Sequence, residues 1–271
     1  MKRLAVLILL LAFVMVLSAQ TMEPFMLKTY HEEGFRKPQG EQYQSLGIGI
    51  AYDITITLPV WDGQENAMEA VISTIRDSVM MYSLGFPYVE GDNYLAKAMD
   101  RYVQGNMNMY AGYDIMSYGE DVRDMFKWDI DISSHGHFVG KDFVQYTVRK
   151  ELFFFDSTLR EFVSFVFDAN TGKQLRVKDF LKADKKTELA VVQMLRDSIE
   201  AQKKDIGHLD FIFPEDIYEY TNFDIKKDEI FFSFSSDGIL SLPCIEVVIS
   251  KQEMKKYIKR NCKLYSFWYG E

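Results

Sequence analysis

The sequence predicts an α+β protein: a mainly antiparallel sheet, built as a meander and hairpins, packed with several helices. Three observations carry that prediction. Phe162 to Leu181 reads as a strand, a turn, a second short strand and a helix entry in one run. Val163, Phe165 and Phe167 alternate with Ser164, Val166 and Asp168; Asp168, Asn170 and Gly172 supply the turn; Leu175 and Val177 alternate with Gln174, Arg176 and Lys178. The strands before it are joined by short turns, which makes sequential neighbours antiparallel. Runs of strands with interspersed helices, without strict strand-helix alternation, belong to the α+β class.

The chain has 271 residues, 48% hydrophobic and 15% aromatic, enough for one large domain or two small ones. That content excludes wholesale disorder. A formal net charge of -9 argues against a nucleic-acid partner, since affinity for phosphates comes from a concentrated positive field. Lys2 and Arg3 precede the apolar run Leu4 to Leu17, followed by Ser18, Ala19 and Gln20. This is the pattern of a secretory signal peptide cut after Ala19, and the run is shorter than the ~20 residues a spanning helix needs. The expected organisation is a signal peptide over 1–19, an extended N-terminal arm over 20–46 and an α+β domain over 47–271, with a candidate subdomain boundary near 112–124. A periplasmic or secreted location follows, with no stable membrane span after cleavage. In such a compartment Cys244 and Cys262 could pair, closing a loop worth about 3 kcal/mol in the chain-entropy model; alternatively Cys244 is a small buried residue of a strand.

After the arm, Ile48 and Ile50, then Ile54, Ile56 and Leu58, alternate in a strand that Pro59, Asp62 and Gly63 end. Met68, Val71, Ile72, Ile75 and Val79 fall on one face of a helix that stops near Gly85 and Pro87. A second helix starts at Asn93, with Leu95, Met99 and Tyr102 as its stripe. The Met- and Tyr-rich stretch around Met107, Tyr113 and Met116 reads as core filling, with a ligand pocket as the alternative. Trp128, Ile130 and Ile132 make a strand with one wet face; Gly136 and Gly140 mark a turn; Phe143 to Phe155 is the next strand; Asp156, Ser157 and Thr158 turn it. Asp184 caps a helix whose inner face is Leu189, Val192, Leu195 and Ile199. Phe223, Ile225, Ile230, Phe232 and Phe234 flank Lys227 and Asp228 as a hairpin, Cys244 to Ile249 is the last strand, and Ser250 with Glu253 forms a capping box.

In this order the run NAMEAVISTIRDS, FDANTGKQLRVKDFL, EIFFSFSSDGI and CIEVVIS resembles the uncharacterised envelope domain found outside the membrane in RsiV-type anti-sigma factors and beside the catalytic domain of PdaC-type peptidoglycan deacetylases. The likeness is most specific from Asp168 to Leu181, where a TGK turn is followed by a leucine and a DF pair. That family carries a Gly-Gly-Ala-His type motif shortly before the turn. Here the matching region reads FFFDSTLREFVSF, without glycine or histidine, so no role is carried over from it. The resemblance implies a fold, an envelope setting and a sensory or accessory binding role, and it names no ligand.

For chemistry, His135 and His137 follow Asp129 and Asp131, a donor set that suits zinc on an extended strand, although Gly136 favours a solvated turn. Glu215 with Asp216, or Glu120, Asp121 and Asp124, are conceivable acid/base carboxylates for sugar hydrolysis. Cys244 lacks an indicated histidine partner, and Phe153 to Phe155 reads as a strand buried on both faces. No nucleotide-binding, nucleophile-elbow, H-E-x-x-H or C-x-x-C motif is present. The sequence therefore assigns no catalytic, cofactor-binding or metal residue. It leads to a non-enzymatic binding, sensory or accessory module whose partner is an envelope protein or a peptidoglycan-type glycan, the alternative being a cell-wall or glycan-acting hydrolase with an unrecognised acidic site.

Overall fold

The computed structural model describes residues 23–43, 46–63, 66–91, 93–108, 110, 113–119, 122, 124–154, 157–206, 213–234 and 245–270. The expected signal peptide and Cys244 lie outside them. In chain order the elements are β1 (Met26–Arg36), β2 (Gly49–Val60), α1 (Asn66–Leu84), α2 (Tyr94–Met107), β3 (Lys127–Val139), β4 (Phe143–Phe154), β5 (Ser157–Asp168), α3 (Val177–Phe180), α4 (Lys185–Ile206), β6 (Phe223–Ile225), β7 (Glu229–Phe234), β8 (Ile245–Ser250), α5 (Lys251–Met254) and α6 (Lys263–Tyr269). The α+β class is as predicted, with the helices packed on a five-stranded and a three-stranded sheet.

The five-stranded sheet runs β1-β2-β3-β4-β5. The predicted meander β3-β4-β5 is antiparallel throughout. Between β2 and β3 the pairing is parallel, from Gly49 opposite Lys127 to Ile56 opposite Ser134. Parallel neighbours need a long crossover, and α1 with α2 supplies it. The segment read as an arm contains β1, which pairs antiparallel with β2 along its whole length. Its side chains are mostly exposed, as suits an edge strand, so no apolar alternation advertises it.

Two hydrophobic cores lie on opposite faces of this sheet. The inner face sends Ile50, Ile54, Ile56, Ile132 and Phe165 against Ile72, Ile75 and Val79 of α1 and Val103 of α2. On the outer face, at the β3–β4 turn, Val139, Phe143 and Val166 join a second core formed by α4, the three-stranded sheet and α6. Adjacent residues of β5 serve both: Phe165 and Phe167 point into the first core and Val166 into the second. Ile115, within the stretch taken as a candidate boundary, is buried in the first core. The division between cores thus falls across β4 and β5. Polar bonds sew the seam: the Ile225 amide donates to Gln145 Oε1 at 2.8 Å and the Ser164 amide to Asn222 Oδ1 at 2.7 Å.

Three local expectations are corrected. The second arm of the Phe162–Leu181 hairpin is a single bridge, Phe167 to Gln174, after which Val177 opens α3. Gly172 is needed there, because its φ is 69° and an added Cβ would sit 2.7 Å from the Val71 carbonyl oxygen. The turn placed at 156–158 is tighter, since Ser157 already pairs with Phe154. On α4 the buried stripe is Thr187, Val191, Leu195 and Ile199, with Leu189 58% exposed. The Asp184 cap holds, accepting from the Thr187 amide at 2.9 Å, and so does the Ser250–Glu253 capping box.

Candidate functional site

Where the second core ends, the outer face of the five-stranded sheet carries exposed polar side chains. Apolar residues alternate inward, so Asp53, Thr55, Asp131, Ser133, Arg149 and Glu151 turn outward. Strand register lines them up in rows. One row reads Glu33, Asp53, Asp131, Glu151, Arg160 across the five strands, and the next His31, Thr55, Ser133, Arg149, Phe162. The face is acidic toward β1 and basic toward β5. Glu151 accepts from Arg149 and, at 3.1 Å, from Arg160 Nε, and Arg149 chiefly holds its carboxyl below the usual range. At the acidic end His31 Nδ1 lies 3.1 Å from Thr55 Oγ1 and 3.5 Å from Asp53 Oδ1, with Nε2 3.7 Å from Glu33 Oε2. The donor atoms of His31, Glu33 and Asp53 all lie within 4.8 Å of one another, a set chemically able to ligate zinc, although all three are exposed.

His135 and His137 do share a face with Asp129 and Asp131, but they lie within β3, opposite Thr147 and Gln145. The turn reading of Gly136 is corrected: it is a strand glycine, and a Cβ there would meet the Tyr146 ring at 2.5 Å. Only Gly140, with φ 62°, belongs to the turn. Burial and the nearby Lys226 hold His137 below the usual imidazole pKa.

At the seam between the cores sits Asp224, 9% exposed, with its Oδ1 unpartnered among the described residues. Desolvation pushes its carboxyl up to about 6, with Glu246 adding to the shift and Ser164 and Lys226 opposing it. Nothing in the linear pattern marks this residue, because an aspartate in a short strand looks like any solvated one.

The other expected carboxylates do not assemble. Asp216 accepts from the Tyr218 amide at 2.8 Å and caps a short 3-10 turn, and Glu215 is exposed. Glu120 and Asp121 lie outside the described residues, and Asp124 opens another such turn. Cys262 donates to the Lys259 carbonyl at 3.0 Å, and burial raises its thiol pKa. The reading of Phe153 to Phe155 as buried on both faces is also corrected: Phe153 is 40% exposed on the outer face, Phe154 packs toward the Trp128 ring, and Phe155 lies outside the described residues. Met107 and Tyr110 line a cavity of about 400 Å³ with Pro38, Tyr43 and Gln104. Met116 stays exposed.

These features define an α+β protein of two cores with an open polar sheet face. The chain is similar in structure to a member of the DUF3298 family from Bacteroides fragilis, at 14% identity and a TM-score of 0.65, covering 92% of this chain and 100% of that one. It aligns less closely with a DUF3298 family protein from Pseudomonas aeruginosa, at 14% identity and a TM-score of 0.49, covering 89% and 98%. The first likeness shows a shared fold with an uncharacterised family. No protein-family profile and no curated protein matches the chain.

Proposed function

We propose that this chain is an exported, non-enzymatic binding, sensory or accessory module of the cell envelope, working in the periplasm or outside the cell. The observation that carries the reading is the open outer face of the five-stranded sheet, with its ionic and hydroxyl side chains held in register. The backbone that carries these side chains is already fixed by strand pairing, so a partner has only side-chain rotamers left to order. A face with carboxylates toward β1 and the Arg149 and Arg160 guanidinium groups toward β5 suits an extended polar partner, a peptidoglycan-type glycan or the surface of an envelope protein. The leader from Lys2 to Ala19 supports the envelope setting. The fold shared with an uncharacterised family is compatible with this reading and adds no ligand.

A glycan-acting hydrolase is the second reading, and Asp224 favours it, since a buried carboxyl raised to about 6 has the protonation a general acid requires. One experiment separates them. The protein is incubated with purified peptidoglycan, and both the pellet and the released sugars are measured. Binding predicts co-sedimentation without products, weakened when Arg149 and Arg160 are both changed to alanine. Product release abolished in Asp224→Asn would replace the binding reading with the hydrolase. Neither sedimentation nor product would remove the glycan and leave an envelope protein, tested by pull-down against the same double variant.

A further inference from the structure

The chain is acidic overall, with a formal net charge of -9, yet cations gather at one place on the second core. Two adjoining cavities, of about 510 and about 420 Å³, share Lys182 and Lys256 in their walls. The larger adds Lys255 and Arg260, the smaller Lys186. Two carboxylates, Glu253 and Asp184, also line them; both are held by cap hydrogen bonds, those from Thr187 chiefly lower the Asp184 pKa and Lys182 adds to the lowering, so five cations face two anions. Glu253 Oε2 accepts from the Ser250 amide at 3.0 Å in the capping box, and Asp184 accepts from the Thr187 amide at 2.9 Å and its hydroxyl at 2.8 Å.

Among the described residues none of Lys182, Lys186, Lys255, Lys256 and Arg260 makes an ion pair. Lys182 Nζ donates to the Lys256 carbonyl. The Lys255 and Lys256 ammonium groups lie 4.9 and 4.8 Å from the ring centres of Tyr269 and Tyr257. Like charges gathered around adjoining cavities repel one another, and an anion between them relieves that repulsion.

We propose that this double cavity binds a linear phosphate-bearing polyanion that runs through both cavities, with the Lys182–Lys256 pair between the stretches held in each. Small separate anions would gain nothing from cavities that share a wall, whereas a chain uses the shared lysines for both of its neighbouring charges. Lysines supply compact charges on flexible stems, which suits repeating phosphates without strict geometry, and Arg260 adds a planar fork able to grip one of them with two bonds. The site lies on a different core from the open sheet face and does not depend on what that face binds.

The test is calorimetric titration of short-chain inorganic polyphosphate into the purified protein at rising salt. Saturable binding that weakens with salt is expected, and it falls about tenfold or more in the triple variant Lys186→Gln, Lys255→Gln, Arg260→Gln. Thermal melting should be unchanged in that variant; if it melts early, Lys186→Gln and Arg260→Gln are measured singly, each expected to weaken binding about threefold. Three outcomes overturn the proposal: undiminished binding by the variants, equally tight binding of orthophosphate, or capture by phosphatidylglycerol vesicles with no affinity for polyphosphate.

Discussion

Asp224 shows how much one residue can depend on its surroundings. Its carboxyl, raised to about 6, is stabilised in the folded state only when protonated. The folded pKa lies above the unfolded value of ~3.9, so this contribution is fully present below about pH 4 and is lost as pH rises through about 6. Asp224→Asn is therefore expected to gain stability over the wild type progressively across that window, reaching roughly 2 to 3 kcal/mol above it. Urea denaturation of both proteins at stepped pH measures the difference, and a gap that stayed flat or closed with rising pH would refute the assignment. Gly136 makes the complementary point. The glycine by itself reads as a turn residue, but the Tyr146 ring on the next strand is what requires it. That partner stands ten residues along the chain, where no local pattern links the two.

Among the elements, those with local causes were legible and those chosen by packing were not. The capping box that opens α5 needs only Ser250 and Glu253 three residues apart, and it is present as read. Helix α4 was placed correctly but rotated. Leu189 and Val191 are both aliphatic, and Leu195 and Ile199 belong to either stripe, so only the sheet beneath it decides which side is buried. Val191→Ala should cost about 2 kcal/mol, whereas Leu189→Lys should stay within about 0.5 kcal/mol. Chemical denaturation of the two variants side by side checks this, and equal losses would restore the original stripe. The hairpin after β5 differs in kind: alternation at Leu175 and Val177 is compatible with a strand, but the chain makes one bridge, with the Asp168 amide donating to the Lys173 carbonyl and the Leu175 amide to the Val166 carbonyl, and then turns into α3.

For the whole molecule, β1 is the element whose removal should matter most beyond its own contacts. It covers one edge of β2 along its full length, and the preceding Phe25 is buried in the first core. A chain lacking residues 23–36 would expose that edge as a template for other chains. Such a truncation is expected to elute as aggregate in size-exclusion chromatography while the intact protein does not; a well-behaved species of unchanged melting temperature would show β1 to be dispensable. The open face and the double cavity also exist only at this scale. The first joins side chains from β1 to β5, and the second brings Lys182 and Lys186 beside Lys255, Lys256 and Arg260. Neither set has a spacing that marks it in the linear chain, whereas His135 and His137 stand two residues apart.

Local patterning alone settles the α+β class, the β3-β4-β5 meander, the main helices and the caps at Asp184 and Ser250, because alternation, helical periodicity and capping act between residues a few positions apart. Only the tertiary structure decided that β1 joins the sheet, that β2 and β3 run parallel and that β4 and β5 serve two cores at once. Those outcomes depend on which surfaces meet after the chain has folded back on itself. Burial of Asp224 and convergence of the lysines follow from the same long-range packing, so the chemistry of this protein lies where its linear pattern is least informative.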